Sequence, residues 1–167
     1  MMALATREYL ALLDDCLNLR RKEWLRCIRD SYDYILIDCM PSLGVMTINA
    51  LVAADTVVIP VQTAYLPVVG LQMLIKTISV VKKRLNKKLS IEGILLTMVD
   101  YRTNYAKDIT AMIRESYGAS VGVMESYIPF SVKVAEATAE GMSIYRYKPK
   151  CKATDSFLQL TKEVIGA

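Results

Sequence analysis

Histidine is absent from this sequence of 167 residues, and its absence excludes several classes of site. Imidazole is the commonest general base and metal ligand in proteins, so Ser-His or Cys-His catalysis and ordinary zinc sites are not expected. Four cysteines are present, at positions 16, 27, 39 and 151, and no two of them form a C-x-x-C pair. We therefore expect these cysteines to be reduced thiols, as in a chain of the cytosol.

Long apolar runs are also missing. No stretch reaches the length needed to cross a bilayer, and the first dozen residues lack the basic-then-apolar layout of a signal peptide. The sequence thus predicts a cytoplasmic protein without membrane contact. A hydrophobic fraction of 53% excludes disorder and is enough for one domain over residues 1–167. The net charge of +4 permits contact with nucleic acid without requiring it.

The sequence is organised around residues 32–44, YDYILIDCMPSLG. A short apolar run ends there at Asp38 and is followed by a turn that contains Pro41. Such a run predicts a strand buried on both faces of a parallel sheet. A carboxylate at its end lies at the edge where open α/β folds bind ligands. The alternative is that Asp38 only caps the next helix or opens a turn.

Apolar periodicity divides the rest of the chain into alternating helices and strands. A long amphipathic helix is predicted at 5–30. Strands are predicted at 34–38, 56–60, 91–99 and 121–128, and helices at 42–53, 70–85, 105–116, 131–140 and 154–165. This order predicts an α/β fold with a sheet of about four mainly parallel strands flanked by helices.

Five segments, in order, resemble the ParA/Soj branch of the ParA–MinD family of deviant Walker-type ATPases, which partition plasmids and chromosomes. They are YDYILIDCMPSLG, INALVAAD, TVVIPVQ, IEGILLTMVDYRTN and YIPFSVKVAEA, and the KEVI ending resembles the last helix of the family. Together they cover roughly residues 30–167. The resemblance implies part of a P-loop NTPase fold, with ATP and Mg²⁺ as cofactors.

The resemblance also implies a nucleotide site. Asp38 matches the Walker B aspartate, which holds Mg²⁺ through water, and Pro41 belongs to the switch loop that follows it. Met40 stands where the family has the first of two prolines, so this loop is expected to be less stiff.

Four residues match positions that bracket adenine in the family: Thr97, Met98, Pro129 and Phe130. Phe130 stands where the family has arginine, and Ser131 stands where it has asparagine, so the polar contacts around the base are expected to differ. Ordinary strand-end packing is the alternative interpretation of Met98 and Pro129.

DNA binding without sequence preference is a further implication of the resemblance. Arg102 matches one basic residue of that surface, and Lys133 stands where another arginine is usual. Five basic residues at 82–88 either extend the DNA surface or stabilise the end of a helix through its dipole: Lys82, Lys83, Arg84, Lys87 and Lys88. A centromere-binding protein is another implied partner, and the cytoplasmic location would include association with the nucleoid.

The phosphate-binding loop of the family is not found in these residues. That loop is a glycine-rich turn followed by lysine and Ser/Thr, and none of the seven glycines here precedes a lysine. We predict no catalytic residues and no ATP hydrolysis by this chain alone, which would be a truncated product or a C-terminal portion lacking the Walker A part. Two alternatives are a non-enzymatic module that binds DNA or a full-length ParA-type partner, and an unrelated α/β enzyme with Asp38 or Cys39 as nucleophile.

The absent loop has a structural consequence. In P-loop folds, the strand before that loop lies between the strands that correspond here to 34–38 and 56–60. These two strands must either pair directly or accept a strand from elsewhere. An unfilled slot would leave two open strand edges, and we expect self-association through them.

Overall fold

The computed structural model describes residues 2–5, 31–39 and 44–166. Most of the helix predicted at 5–30 and the turn with Pro41 lie outside the described residues. The strands are β1 (Met2–Ala5), β2 (Ile35–Asp38), β3 (Thr56–Gln62), β4 (Ser90–Val99) and β5 (Val123–Pro129). The helices are α1 (Val45–Ala53), α2 (Tyr65–Arg84), α3 (Asn104–Tyr117), α4 (Val132–Ala139), α5 (Ile144–Tyr147) and α6 (Lys152–Ile165).

The described strands form one sheet in the order β2-β1-β3-β4-β5. Strands β4 and β5 pair in parallel, whereas β1 pairs antiparallel with both of its neighbours. The predicted α/β class, with parallel strands flanked by helices, is confirmed. The number of strands is five rather than about four, because the sequence pattern did not indicate β1.

Strand β1 occupies the slot between β2 and β3. Its residues pair with β2 from Met2↔Asp38 to Ala5↔Ile35, and Ala3 also pairs with Val57 of β3. Of the two predicted arrangements, acceptance of a further strand is therefore correct. The prediction of self-association through two open edges loses its basis, since both edges are hydrogen-bonded to β1.

The burial of β2 differs from the prediction. Leu36 is 63% exposed, while Ile35 and Ile37 are only half-buried. A strand buried on both faces was the wrong prediction for this segment. The physical reason is its position, because β2 stands at the end of the order of the described strands and pairs with β1 alone among them.

Strand β3 runs two residues further than the pattern indicated. Pro60 lies inside it and is exposed, and the strand ends at Gln62. Proline lacks the N–H that a ladder needs. Among the described residues, β3 pairs with β1 from Thr56 to Val58, so Pro60 lies outside these pairs.

The chain divides into two compact units. The first comprises Met1–Ile59 with Gly70–Glu92, and the second comprises Pro60–Val69 with Gly93–Ala167. In the first unit α1 packs on β1, and the fully buried side chains include Leu51, Ile78 and Leu89. In the second unit α3 and α6 pack on β5, with Ile94 and Ile113 fully buried. The described helices include none that is both long enough and apolar enough to cross a membrane.

A carboxylate joins α6 to β5 in the second unit. Glu163 accepts hydrogen bonds from the backbone N–H of Glu125 at 2.8 Å and of Ser126 at 2.9 Å. Burial alone would raise the pKa of Glu163, but the hydrogen bonds from Ser126 and Glu125 outweigh it and lower the pKa. The ionised form of Glu163 therefore stabilises the packing of α6.

We expect Glu163→Gln to lower the free energy of unfolding by about 1 kcal/mol at neutral pH. Glutamine keeps one acceptor, but its NH₂ group would face the second backbone N–H. Because the folded-state pKa of Glu163 is lowered, its contribution is present above the unfolded pKa and is lost as the pH falls through the folded pKa. Urea denaturation at successively lower pH should show the difference between variant and parent shrink.

The matched control is Glu115→Gln, at an exposed position of α3. It should leave the unfolding free energy within about 0.5 kcal/mol of the parent at every pH. Equal losses in the two variants would contradict the role given to Glu163.

Candidate functional site

Asp38 ends β2 and is exposed to solvent. Within the described ranges, no three Asp, Glu, Cys or His side chains are grouped so that they could hold a metal ion. One exposed carboxylate at the end of a strand nevertheless fits Mg²⁺, since this ion is often held by one or two carboxylates and takes its other ligands from phosphates and water. The donor chemistry is thus suited to a nucleotide-bound ion and not to an all-protein metal site.

Cys39 follows Asp38 directly. Its thiol lies 3.7 Å from the carbonyl oxygen of Ile37 and is half-buried. Burial raises the pKa of Cys39, and the neighbouring Asp38 raises it further. Because the thiolate is the nucleophilic form, this environment disfavours a catalytic cysteine.

The ends of β4 and β5 bring together the four residues predicted to contact a base. Val99 pairs with Pro129, and the N–H of Phe130 donates to the carbonyl of Val99 at 3.1 Å. Thr97 and Met98 immediately precede that pair. The carboxyl ends of these two strands therefore form one continuous backbone edge.

Met98 has an unusual backbone conformation at this edge. Its φ is 52°, and the strand register shifts between Leu96 and Val99. A side chain other than glycine in this region is strained by about 1–3 kcal/mol, and such strain is often found at ligand sites. Met98 is 49% exposed and Phe130 is 54% exposed, whereas Pro129 is buried. The edge thus presents two apolar surfaces that a flat ring could contact.

The loop after β4 is held by its own side chains. The Asp100 carboxylate accepts hydrogen bonds from Nε of Arg102 at 2.8 Å and from its Nη2 at 2.7 Å. These bonds lower the pKa of Asp100 to about 2. Thr103 caps α3 and donates to the carbonyl of Asp100, while Tyr101 packs edge-to-face on Tyr127. The guanidinium of Arg102 remains 85% exposed but already has an intramolecular anion.

Lys133 has a similar arrangement at the start of α4. Its Nζ lies 2.7 Å from Oε2 of Glu136, which also accepts a hydrogen bond from the hydroxyl of Tyr147 at 2.9 Å. Hydrogen bonds from Lys133 and Tyr147 lower the pKa of Glu136. Both cations predicted to contact DNA are therefore paired with carboxylates within the chain, and a phosphate would have to compete for them.

Asn86 is a residue that the sequence reasoning missed. It is fully buried, and its Nδ2 lies 3.1, 3.2 and 2.7 Å from the carbonyl oxygens of Leu51, Val52 and Ala54. Its Oδ1 accepts from the N–H groups of Lys88 and Leu89. The signal in the sequence was one neutral polar residue within the basic run KKRLNKK. The side chain fixes the turn after α2 to the end of α1.

A family profile described as an AAA domain matches residues 2–91, which is more than half of the chain. The sporulation initiation inhibitor protein Soj of Bacillus subtilis is 43% identical over 147 residues, which are 88% of this chain. The chromosome partitioning protein ParA of Myxococcus xanthus is 42% identical over 146 residues. The chain belongs to the ParA–MinD family.

The part of the family sequence that is represented here is limited. The chain spans 57% of the length of the B. subtilis relative and 51% of the M. xanthus relative. The chromosome-partitioning ATPase Soj of Treponema pallidum is 40% identical, and the match covers 56% of its length.

Two solved structures have a similar fold. Cobyrinic acid a,c-diamide synthase from Mycobacterium smegmatis, with a bound ATP analogue and magnesium, is 34% identical with a TM-score of 0.60. The match covers 71% of this chain and 47% of the synthase. The cell division ATPase MinD of Pyrococcus furiosus matches with a TM-score of 0.64 at 24% identity. The match covers 86% of this chain and 56% of the MinD chain, and it supports the fold alone.

Proposed function

We propose that this chain is a ParA/Soj-type homologue for plasmid or chromosome partitioning, and that these 167 residues do not hydrolyse ATP by themselves. The observation that carries the proposal is the 43% identity with Soj across 88% of the chain, in a sequence where no glycine precedes a lysine. The homology supports the partitioning role. The missing Gly-Lys pattern removes the amide cradle and the lysine that hold phosphates.

The family resemblance would give two sets of residues roles in nucleotide binding. Asp38 would hold Mg²⁺ through water, and Mg²⁺ would neutralise phosphate charge. The strand-end residues Thr97, Met98, Pro129 and Phe130 would contact the base, and Pro41 would belong to the switch loop. Phosphoryl transfer depends chiefly on positioning and on electrostatic stabilisation of the phosphates, so the base contacts and Mg²⁺ alone do not support turnover.

A non-enzymatic interaction module is the second candidate function. The exposed basic run in the last turn of α2 and just beyond it favours this candidate, because these cations can contact DNA without nucleotide. A full-length ParA-type protein, a centromere-binding protein and a second copy of the chain are the proposed protein partners. A cytoplasmic location with nucleoid association would accompany this role.

An ATPase assay tests the absence of turnover. We expect the purified chain, with Mg²⁺ and ATP, to release phosphate no faster than the buffer, because the phosphates are not held. Asp38→Ala should give the same background rate. A ParA-type ATPase that contains its Walker A loop, assayed in parallel, provides the positive control.

Two other results of this assay have distinct meanings. Phosphate release by the parent chain that disappears in Asp38→Ala would show a working magnesium site and would refute the proposal. Release that persists unchanged in Asp38→Ala would identify a contaminating enzyme.

A further inference from the structure

The outer side of α2 carries an apolar stripe. Met73 is 65% exposed and Val80 is 52% exposed, and their spacing of seven positions places them on the same face of the helix. Thr77 and Arg84 lie on that face as well, one turn and three turns beyond Met73. We call these four residues the α2 outer stripe. Because the helix rises about 1.5 Å per residue, Met73 and Val80 are about 10 Å apart along its axis.

The helix that presents this stripe is packed from its inner side. Leu71, Ile78 and Val81 of α2 are buried. The hydroxyl of Thr77 donates to the carbonyl of Met73 at 3.0 Å, so it keeps its hydrogen bond when the stripe is covered. A partner can therefore cover the stripe without leaving this hydroxyl unpaired and without first ordering the helix.

Positive charge lies along one flank of the stripe. Lys76 and Lys83 are exposed, and their spacing of seven positions places them on the same flank. Within the described ranges, neither lysine forms an ion pair. The sequence of α2 contains no Asp or Glu that could neutralise them. A complementary surface is therefore apolar in its centre and acidic along one side.

Stabilisation of the helix end does not account for both lysines. Cations interact favourably with the helix dipole only within the last turn. Lys83 lies in the last turn of α2, whereas Lys76 lies about two turns before the end at Arg84. Lys76 flanks the apolar part of the stripe instead.

We propose that the α2 outer stripe is a docking surface for an acidic amphipathic helix of a protein partner. The apolar face of that helix covers Met73 and Val80, and its carboxylates pair with Lys76 and Lys83. Methionine suits such a surface, because its flexible thioether adapts to the side chains that cover it. The inference goes beyond the proposed function, since it rests on α2 alone and requires neither nucleotide nor DNA.

Other occupants fit this surface less well. The α2 helix of a second copy has no carboxylate to offer to the lysines. A membrane needs a larger apolar face, and within the described part of α2 Met73 and Val80 are the only large apolar side chains that are exposed. Duplex DNA would neutralise the lysines but would leave both apolar side chains uncovered.

Fluorescence anisotropy with a labelled synthetic peptide tests the apolar part of the stripe. The peptide is an amphipathic helix of about 18 residues, with leucine on one face and glutamate along one flank of that face. The parent chain should bind it saturably, and added salt should weaken the binding. The variant M73A/V80A should bind at least about tenfold more weakly, because the centre of the contact is lost.

The matched control for this variant is L158A/I165A. It removes two exposed apolar side chains that have the same spacing on α6. This control should keep the affinity for the acidic peptide within about twofold of the parent. Circular dichroism and thermal unfolding establish that all variants remain folded.

Charge reversal tests the flank. The variant K76E/K83E should bind the acidic peptide at least about tenfold more weakly. It should also bind the same peptide with lysine in place of glutamate more tightly than the parent does, because the charges are again complementary. The control K107E/K162E changes the net charge equally at exposed positions of α3 and α6, and it should shift either affinity by less than about threefold.

Several results would overturn the inference. The first three are the absence of saturable peptide binding by the parent, equal losses in M73A/V80A and L158A/I165A, and an unchanged peptide preference in K76E/K83E. Binding to phosphatidylglycerol vesicles or to a DNA duplex that is lost in M73A/V80A would assign the stripe to a membrane or to DNA. A dimer of the parent that M73A/V80A dissociates would assign it to a second copy.

Discussion

Replacing Asn86 by alanine is expected to lower the free energy of unfolding by about 3 kcal/mol. The substitution removes the donor to the carbonyl groups of Leu51, Val52 and Ala54 and the side-chain acceptor of the Lys88 and Leu89 N–H groups. The N–H of Leu89 keeps its hydrogen bond to the backbone carbonyl of residue 86 at 3.2 Å. Each buried polar group that loses its partner costs about 1–3 kcal/mol, although some groups will regain a water molecule. Urea denaturation followed by circular dichroism measures the loss.

A second variant separates the two halves of the Asn86 amide. Asn86→Asp keeps an acceptor for Lys88 and Leu89, but it places a carboxylate oxygen against backbone carbonyl oxygens. That contact favours the protonated acid, so the folded-state pKa of the new carboxyl should be raised. A raised folded pKa means that stability is regained as the pH falls, and Asn86→Asp should therefore recover on acidification while Asn86→Ala does not.

The control for both variants is Asn104→Ala, at an exposed position at the start of α3. It should change the unfolding free energy by less than about 0.5 kcal/mol. A loss in Asn86→Ala no larger than that of the control would mean that the buried amide contributes little to stability.

Much of the fold could be predicted because its signals are local. Short apolar runs and amphipathic stretches alternate along the chain, and this order is enough to indicate a parallel sheet with helices. Strand β1 could not be read in this way. Its residues, MALA, favour a helix by propensity, and their extended form depends on two distant strands that supply hydrogen bonds.

The candidate site was partly readable for a related reason. Residues at the carboxyl ends of parallel strands lie at one edge of the sheet, and this rule agrees with the pairing of Val99 with Pro129. The positive φ of Met98 could not be predicted from the sequence, because it accompanies a register shift in β4 that depends on the pairing with β5. The partners of Arg102 and Lys133 were visible as D-x-R and K-x-x-E spacings.

Replacing Ala3 by proline should disrupt the sheet at its added strand. In β1, which has a neighbour on both sides, proline removes a backbone donor and introduces a bulky ring into the ladder. We expect the free energy of unfolding to fall by about 3 kcal/mol or more. We also expect release of β1 to leave the facing edges of β2 and β3 unpaired. Open edges of this kind associate with other chains, so the variant should form concentration-dependent oligomers in light scattering.

The comparison variant Ala3→Gly tests whether the lost donor or the changed side chain is responsible. Glycine keeps the N–H and should cost only about 0.5–1 kcal/mol through chain entropy, without new oligomers. If Ala3→Pro stays as stable as the parent and scatters as the same species, β1 does not hold the two edges in solution. In that case the pairing of β1 with β3, from Met2↔Val58 to Leu4↔Thr56, would contribute little either to stability or to the control of assembly.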